Sequence, residues 1–305
     1  IEETQKAIIS AIIFFDMFDY PLTEEEILQF CYFQDGFDNN DCGLENIKKI
    51  LASEILSDKI EKKNDFYFLR GREEIIKIRA KRNSQSAKKF RKAKFIIRIF
   101  AFFSFINMAA VVNFMPSSNG KKDSDIDLFI IVKESRIWLT RIICAGICQV
   151  FGLRPTEKNI KDKICLSFFI SDDNLDLRNI VLDKNDIYFY YWFATVFPIY
   201  NKDEIYEKFI STNSWIKNYL PNFQQIIPDK KQKINFKFSI SFLYNFDFLE
   251  RLAKKIQLKI LSPKLREMAN KDTRVIINDK MLKFHSNDRR EYYQKKYKFK
   301  ITNYK

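Results

Sequence analysis

Histidine is nearly absent from this 305-residue chain, which carries one, His285. Glycine (6) and proline (7) are also scarce, which disfavours a loop-rich architecture and favours long helices around well-filled cores. The five cysteines, Cys31, Cys42, Cys144, Cys148 and Cys165, are odd in number and widely spaced. That pattern excludes a disulfide framework and predicts a reducing, cytoplasmic setting. Cys144 and Cys148 share a helix face, but with no histidine or further cysteine nearby they read as small buried residues rather than a zinc site. Long apolar runs are missing too. The most apolar stretch, Ile137–Leu153, contains Arg141 and Gln149 and falls short of a bilayer span, so no transmembrane segment is predicted. The first apolar stretch, Ala7–Phe15, lacks the basic leader and cleavage site of a secretory signal.

Acidic residues are outnumbered, leaving a formal net charge of +14. An excess of this size favours polyanionic partners: nucleic acid, nucleotide phosphates or an anionic membrane surface. It also fits a lysine surplus set by coding bias, since Lys, Ile, Asn and Phe are all abundant. Hydrophobic residues at 46% against 30% charged are enough for a packed core and argue against global disorder.

The apolar pattern predicts helices over Thr4–Phe18, after Thr23 and over Leu44–Leu56. Thr23 and Glu26 have capping-box spacing behind the break at Pro21. Two strand-like runs follow, Leu56–Ile60 and Phe66–Leu69, joined by Glu61–Asp65. Gly71 ends them, and Arg72–Phe103 reads as one long basic helix or two in line, carrying Lys77, Arg79, Lys81, Arg82, Lys88, Lys89, Arg91, Lys92, Lys94 and Arg98. Such a run is a solvated face or an electrostatic track for a phosphate backbone.

The pattern then changes to strand (Met108–Phe114), polar stretch (Pro116–Lys122), strand (Asp125–Val132), helix (Glu134–Phe151) and strand (Ile164–Ile170). Within this run stands Asp123-Ser124-Asp125-Ile126-Asp127-Leu128-Phe129. Side chains alternate along a strand, so Asp125 and Asp127 share a face, roughly 6–7 Å apart at Cα. Two carboxylates so placed can ligate one or two Mg²⁺ ions. Ile126, Leu128 and Ile130 point the other way and pack the sheet.

The string Asp-Ser-Asp-Ile-Asp-Leu-Phe-Ile-Ile-Val resembles the signature of the DNA polymerase β-like nucleotidyltransferases, most closely over Val111–Val132. The resemblance implies an α+β fold, a mixed sheet flanked by helices, over residues 104–182. It implies Mg²⁺ (or Mn²⁺) at Asp125 and Asp127 as metal-binding and catalytic residues, with a nucleoside triphosphate as substrate. The family's phosphate-holding Gly-Ser pair falls at Asn113 and Phe114, which depart from it. Asn113, with Ser117, Ser118 and Lys121 of the next stretch, is then the candidate phosphate-holding set, unless that stretch is an ordinary polar turn. The family's third carboxylate is also missing: Ser167 stands where it would be wanted, with Asp162, Asp172 and Asp173 nearby in sequence.

The order of three helices and a hairpin over residues 1–72 resembles a winged helix, joined by a basic connecting helix (73–103). Residues 183–305 read as a mainly helical extension. In that extension Asp183–Tyr200 is strongly aromatic at helical spacing, and helices are predicted over Tyr206–Leu220, Phe236–Leu261 and Asp288–Tyr297, with a strand at Thr273–Ile277. His285 and Arg290, in Phe284–Arg290, are further nucleotide-binding candidates, or else part of a helix start capped by Asn287 or Asp288. The expected activity moves a nucleoside monophosphate to a hydroxyl of a small molecule, a protein or a nucleic-acid end. The alternative is a catalytically degenerate member of the same fold that binds nucleic acid or regulates.

Overall fold

In the computed structural model the residues described are 2–34, 43–113, 123–156, 158–235 and 246–304. The chain opens with α1 (Glu2–Asp16), α2 (Glu24–Phe30) and α3 (Leu44–Ala52). The capping box predicted for α2 is formed: Glu26 N donates to Thr23 Oγ1 at 3.3 Å and Thr23 N donates to Glu26 Oε2 at 2.9 Å. The hairpin β1 (Ile60–Lys63) and β2 (Phe66–Leu69) pairs Lys63 with Phe66. Asn64 (φ 50°) and Asp65 (φ 63°) form its two-residue turn, both left-handed, which Asn and Asp tolerate. The first strand thus lies later than the expected Leu56–Ile60, because Glu54–Leu56 closes α3 as a short 3-10 turn.

One continuous helix, α4 (Glu74–Phe100), leads to the sheet. Strands β3 (Ile106–Val112) and β4 (Ile126–Val132) precede α5 (Ile137–Val150), and β5 (Ile164–Ser171) precedes α6 (Ile187–Ala194). Then come β6 (Phe197–Asn201), α7 (Ile205–Thr212), α8 (Asp247–Ile260), α9 (Pro263–Met268), β7 (Val275–Ile277), β8 (Met281–Phe284) and α10 (Arg290–Asn303). The described part of the helix expected over Phe236–Leu261 is α8; the remainder falls outside the described residues. Two strands were not anticipated, β6 and β8.

The six-stranded sheet runs β6-β3-β4-β5-β8-β7. Only β4 and β5 pair in parallel, across the α5 crossover; the other neighbours are antiparallel. Side-chain alternation gives each face its own core. Ile126, Leu128, Ile130 and Val132 pack with Ala93, Ile96 and Ile97 of α4, Cys144 and Cys148 of α5 and Ala253 of α8. Phe129, Ile131, Met108 and Phe168 pack on the opposite face with α1, Tyr190, Tyr191 and Phe193 of α6 and Phe209 of α7. The protein is a mixed α+β fold, a mixed six-stranded sheet with helices on both faces. No described helix is long and apolar enough to cross a membrane.

Candidate active site

At the start of β4, Asp127 is the one polar residue of its strand and points to the Phe129 face, as the alternation predicts. Its neighbours are set by register: Val112 lies opposite on β3 and Cys165 on β5. The β4–β5 ladder then slips, so that Phe129 pairs with Phe168 and an extra residue sits on β5. Such a bulge re-aims side chains beside it. Here it brings Cys165 beside Asp127 and turns Ser167 to His285, Oγ to Nε2 at 3.1 Å.

Asp125, Asp127 and Cys165 each offer a donor atom, and all three atoms lie within 4.8 Å of one another. Burial, then the Asp125 charge, pushes the Asp127 carboxyl up to about 6. Asn113 Nδ2 donates to Asp127 Oδ2 at 2.9 Å, and Tyr188 OH donates to Asn113 Oδ1 at 3.2 Å. Asn113 follows directly on β3 with φ 56°, a left-handed position that asparagine accepts more readily than most residues. Burial and the adjacent Asp127 charge hold the Cys165 thiol well above its ordinary value, so it stays protonated. On the far side of β4, Lys89 of α4 is buried and donates to Ser124 O (2.5 Å) and Oγ (2.7 Å), fixing the residue before Asp125.

Asn113, Asp125, Asp127, Cys165 and Tyr188 line a 570 Å³ cleft together with residues far away in sequence. Four candidates from distant parts of the chain, Asp125, Asp127, His285 and Arg290, converge there, and Asn113 joins them. Ser117, Ser118, Lys121 and Phe114 lie outside the described residues. His285 follows β8 at the cleft floor; burial, with Lys283 alongside, pushes its imidazole down to about 3, so it is neutral near pH 7.

Arg290 directs its guanidinium into the wall. It donates to Asp288, to Asp186 Oδ2 at 2.9 Å, to Ile180 O at 2.8 Å and to Thr273 Oγ1 at 2.8 Å. Arg289, also on the cleft, is exposed. The start of α10 falls between the two expectations for this segment: Arg289 is its N-cap, while Asp288 Oδ1 accepts from Arg290 N at 3.0 Å. Tyr188 and Tyr293 stack at 5.3 Å between centroids and 9° between planes, forming an aromatic side of the cleft. Most of the aromatic run of α6 is core, as expected, while Tyr188, Phe189 and Trp192 also reach the cleft.

The acids considered for a third carboxylate are elsewhere engaged. Asp162 faces Lys89 and Lys92, at 3.8 and 3.7 Å. Asp172 accepts from Asn107 and from Glu134 N at the other end of the strands, and Asp173 pairs with Lys280. Cys165 is the group that sequence reasoning missed. Its strand parity was visible, but only the β4–β5 register says which β5 residue meets Asp127. No family model, curated protein or solved structure matches the chain.

Proposed function

We propose that the cleft is the active centre of a metal-dependent nucleotidyltransferase of the DNA polymerase β-like type. The observation that carries this reading is the Asp125–Asp127 pair at the mouth of a central strand, open to a cleft of nucleotide size. The donor set fits the expected cation. Mg²⁺ binds through one or two carboxylates, retained waters and substrate phosphates, so the pair is sufficient and the protonated Cys165 need not ligate. A half-buried pair of like charges also gains most when a cation neutralises it.

When bound, the cation would activate the acceptor hydroxyl and offset charge on the phosphates. In the reaction, the acceptor oxygen forms a bond to the α-phosphorus of the triphosphate. The bond from that phosphorus to the bridging oxygen breaks, pyrophosphate leaves with the electron pair, and the hydroxyl proton passes to solvent. Asn113 and Tyr188 hold the Asp127 carboxylate in place, Arg289 faces the phosphates at the mouth, and Tyr188 and Tyr293 wall the organic part of the nucleotide.

The test is transfer of label from α-labelled nucleoside triphosphates with Mg²⁺ or Mn²⁺. Wild type should transfer, and the Asp125→Ala/Asp127→Ala variant should lose at least 100-fold. Equal transfer by the two proteins sinks the reading. A second reading, a degenerate fold that binds without turnover, is favoured by Cys165, and no third acid, being grouped with the pair among the described residues. It predicts nucleotide or nucleic-acid binding with no label transferred under any cation.

A further inference from the structure

Helix α4 carries ten basic residues and no acidic one after Glu74. Five of them, Lys77, Lys81, Lys88, Arg91 and Arg98, recur at intervals of four, seven, three and seven residues and are all exposed. At 100° per residue these positions fall within an arc of about 100°, so they form one stripe. It is about 32 Å long at a rise of about 1.5 Å per residue. None of the five has an acidic partner among the described residues. The other basic residues of the helix are differently employed. Arg79 pairs with Glu26, Arg82 with Asp19, and Lys89 is buried against Ser124. The helix therefore uses some cations to dock and leaves a separate row unneutralised. Docking through Lys89 pins the middle of α4 against the residue before Asp125 from the sheet face opposite the cleft, and the stripe, about 130° around the helix from Lys89, lies on its outer side.

We infer that this stripe is a track for the phosphate backbone of a nucleic acid, bound along the outer side of α4. The inference stands on the stripe alone and does not depend on the nucleotidyltransferase reading. A row of unpaired cations about 32 Å long matches a chain of phosphates rather than a single nucleotide. The stripe lacks interleaved aromatics apart from exposed Phe95, so binding follows charge and not base identity.

The experiment is anisotropy with labelled 20-nucleotide single strands of RNA and DNA, and with the duplex, between about 50 and 200 mM salt, without divalent cation. Neutralising about five phosphates at a slope of roughly −0.7 each predicts a salt slope near −3.5, or on the order of 100-fold weaker binding across that range. The variant Lys81→Gln/Lys88→Gln/Arg91→Gln should bind at least tenfold more weakly and lose about 2 from the slope. A control of equal charge, Lys255→Gln/Lys259→Gln/Lys264→Gln on α8 and α9, should change affinity less than twofold.

Absence of binding at low salt, or equal losses in both variants, overturns the inference. So does binding that moves to vesicles of phosphatidylcholine with phosphatidylglycerol while oligonucleotides are ignored. Stripe-dependent binding with no transfer to any acceptor overturns the activity and leaves the track.

Discussion

Arg290→Ala separates a structural arginine from a ligand-binding one. The guanidinium is 6% exposed and donates to two carboxylates, a carbonyl and a hydroxyl. Without it, Asp186, 1% exposed, keeps only the backbone N–H groups of Leu182 and Phe189. Asp288 keeps Lys283 at 3.3 Å and the N–H of residue 290. Removing one partner of a buried ion pair costs about 3–5 kcal/mol, because the remaining charge stays desolvated. The two retained N–H groups on Asp186 place the expected loss toward the lower end, about 3 kcal/mol. That corresponds to a fall in Tm on the order of 10 °C. Arg290→Lys should lose less, since charge is kept and the planar fork is lost. Urea unfolding followed by tryptophan fluorescence measures the change, with Trp192 on the cleft wall as reporter. If Arg290→Ala unfolds within about 1 kcal/mol of wild type while triphosphate affinity collapses, the residue faces ligand and the wall assignment is wrong.

Metal affinity should depend on pH through Asp127. A cation binds the ionised carboxylate, whose pKa is raised to about 6, so affinity rises up to that pH and levels off above it. Titration calorimetry with Mn²⁺ at pH 5 should give binding roughly tenfold weaker than at pH 7, and a flat profile would count against Asp127 as a ligand. Asn113→Gly preserves the left-handed backbone but removes the bond to Asp127, so it should fold normally and weaken metal binding. Asn113→Val, forced to φ 56°, should cost about 1–3 kcal/mol in thermal or urea unfolding. Cys165→Asp places a third carboxylate beside the pair. It should tighten Mg²⁺ binding and raise transfer if the site is active, whereas unchanged affinity would show that position 165 does not reach the cation.

The candidate site was only partly legible in the sequence, and the boundary is physical. Alternation along one strand is a local property, so the shared face of Asp125 and Asp127 and the opposite packing of Ile126 and Leu128 could be read directly. The cap of α2 was equally local, a matter of Thr23 and Glu26 three residues apart. His285 and Arg290 could be marked as chemically interesting, but their distance to the acidic strand could not be derived. That distance depends on β8 pairing with β5, and β8 is only Met281–Phe284, too short to announce itself. The fate of Arg290 was also invisible, since Asp186 and Ile180 reach it across more than a hundred residues.

The amino-acid sequence by itself determined the acidic strand, the basic helix and the alternation of apolar faces, because each follows from spacing within one element. Tertiary structure decided which groups meet. The β4–β5 bulge placed Cys165 against Asp127 and turned Ser167 to His285, and the docking of α4 through Arg79, Arg82 and Lys89 left its outer cations unpaired. Such choices depend on register and on buried ion pairs between distant segments, whose energies exist only once the chain has folded.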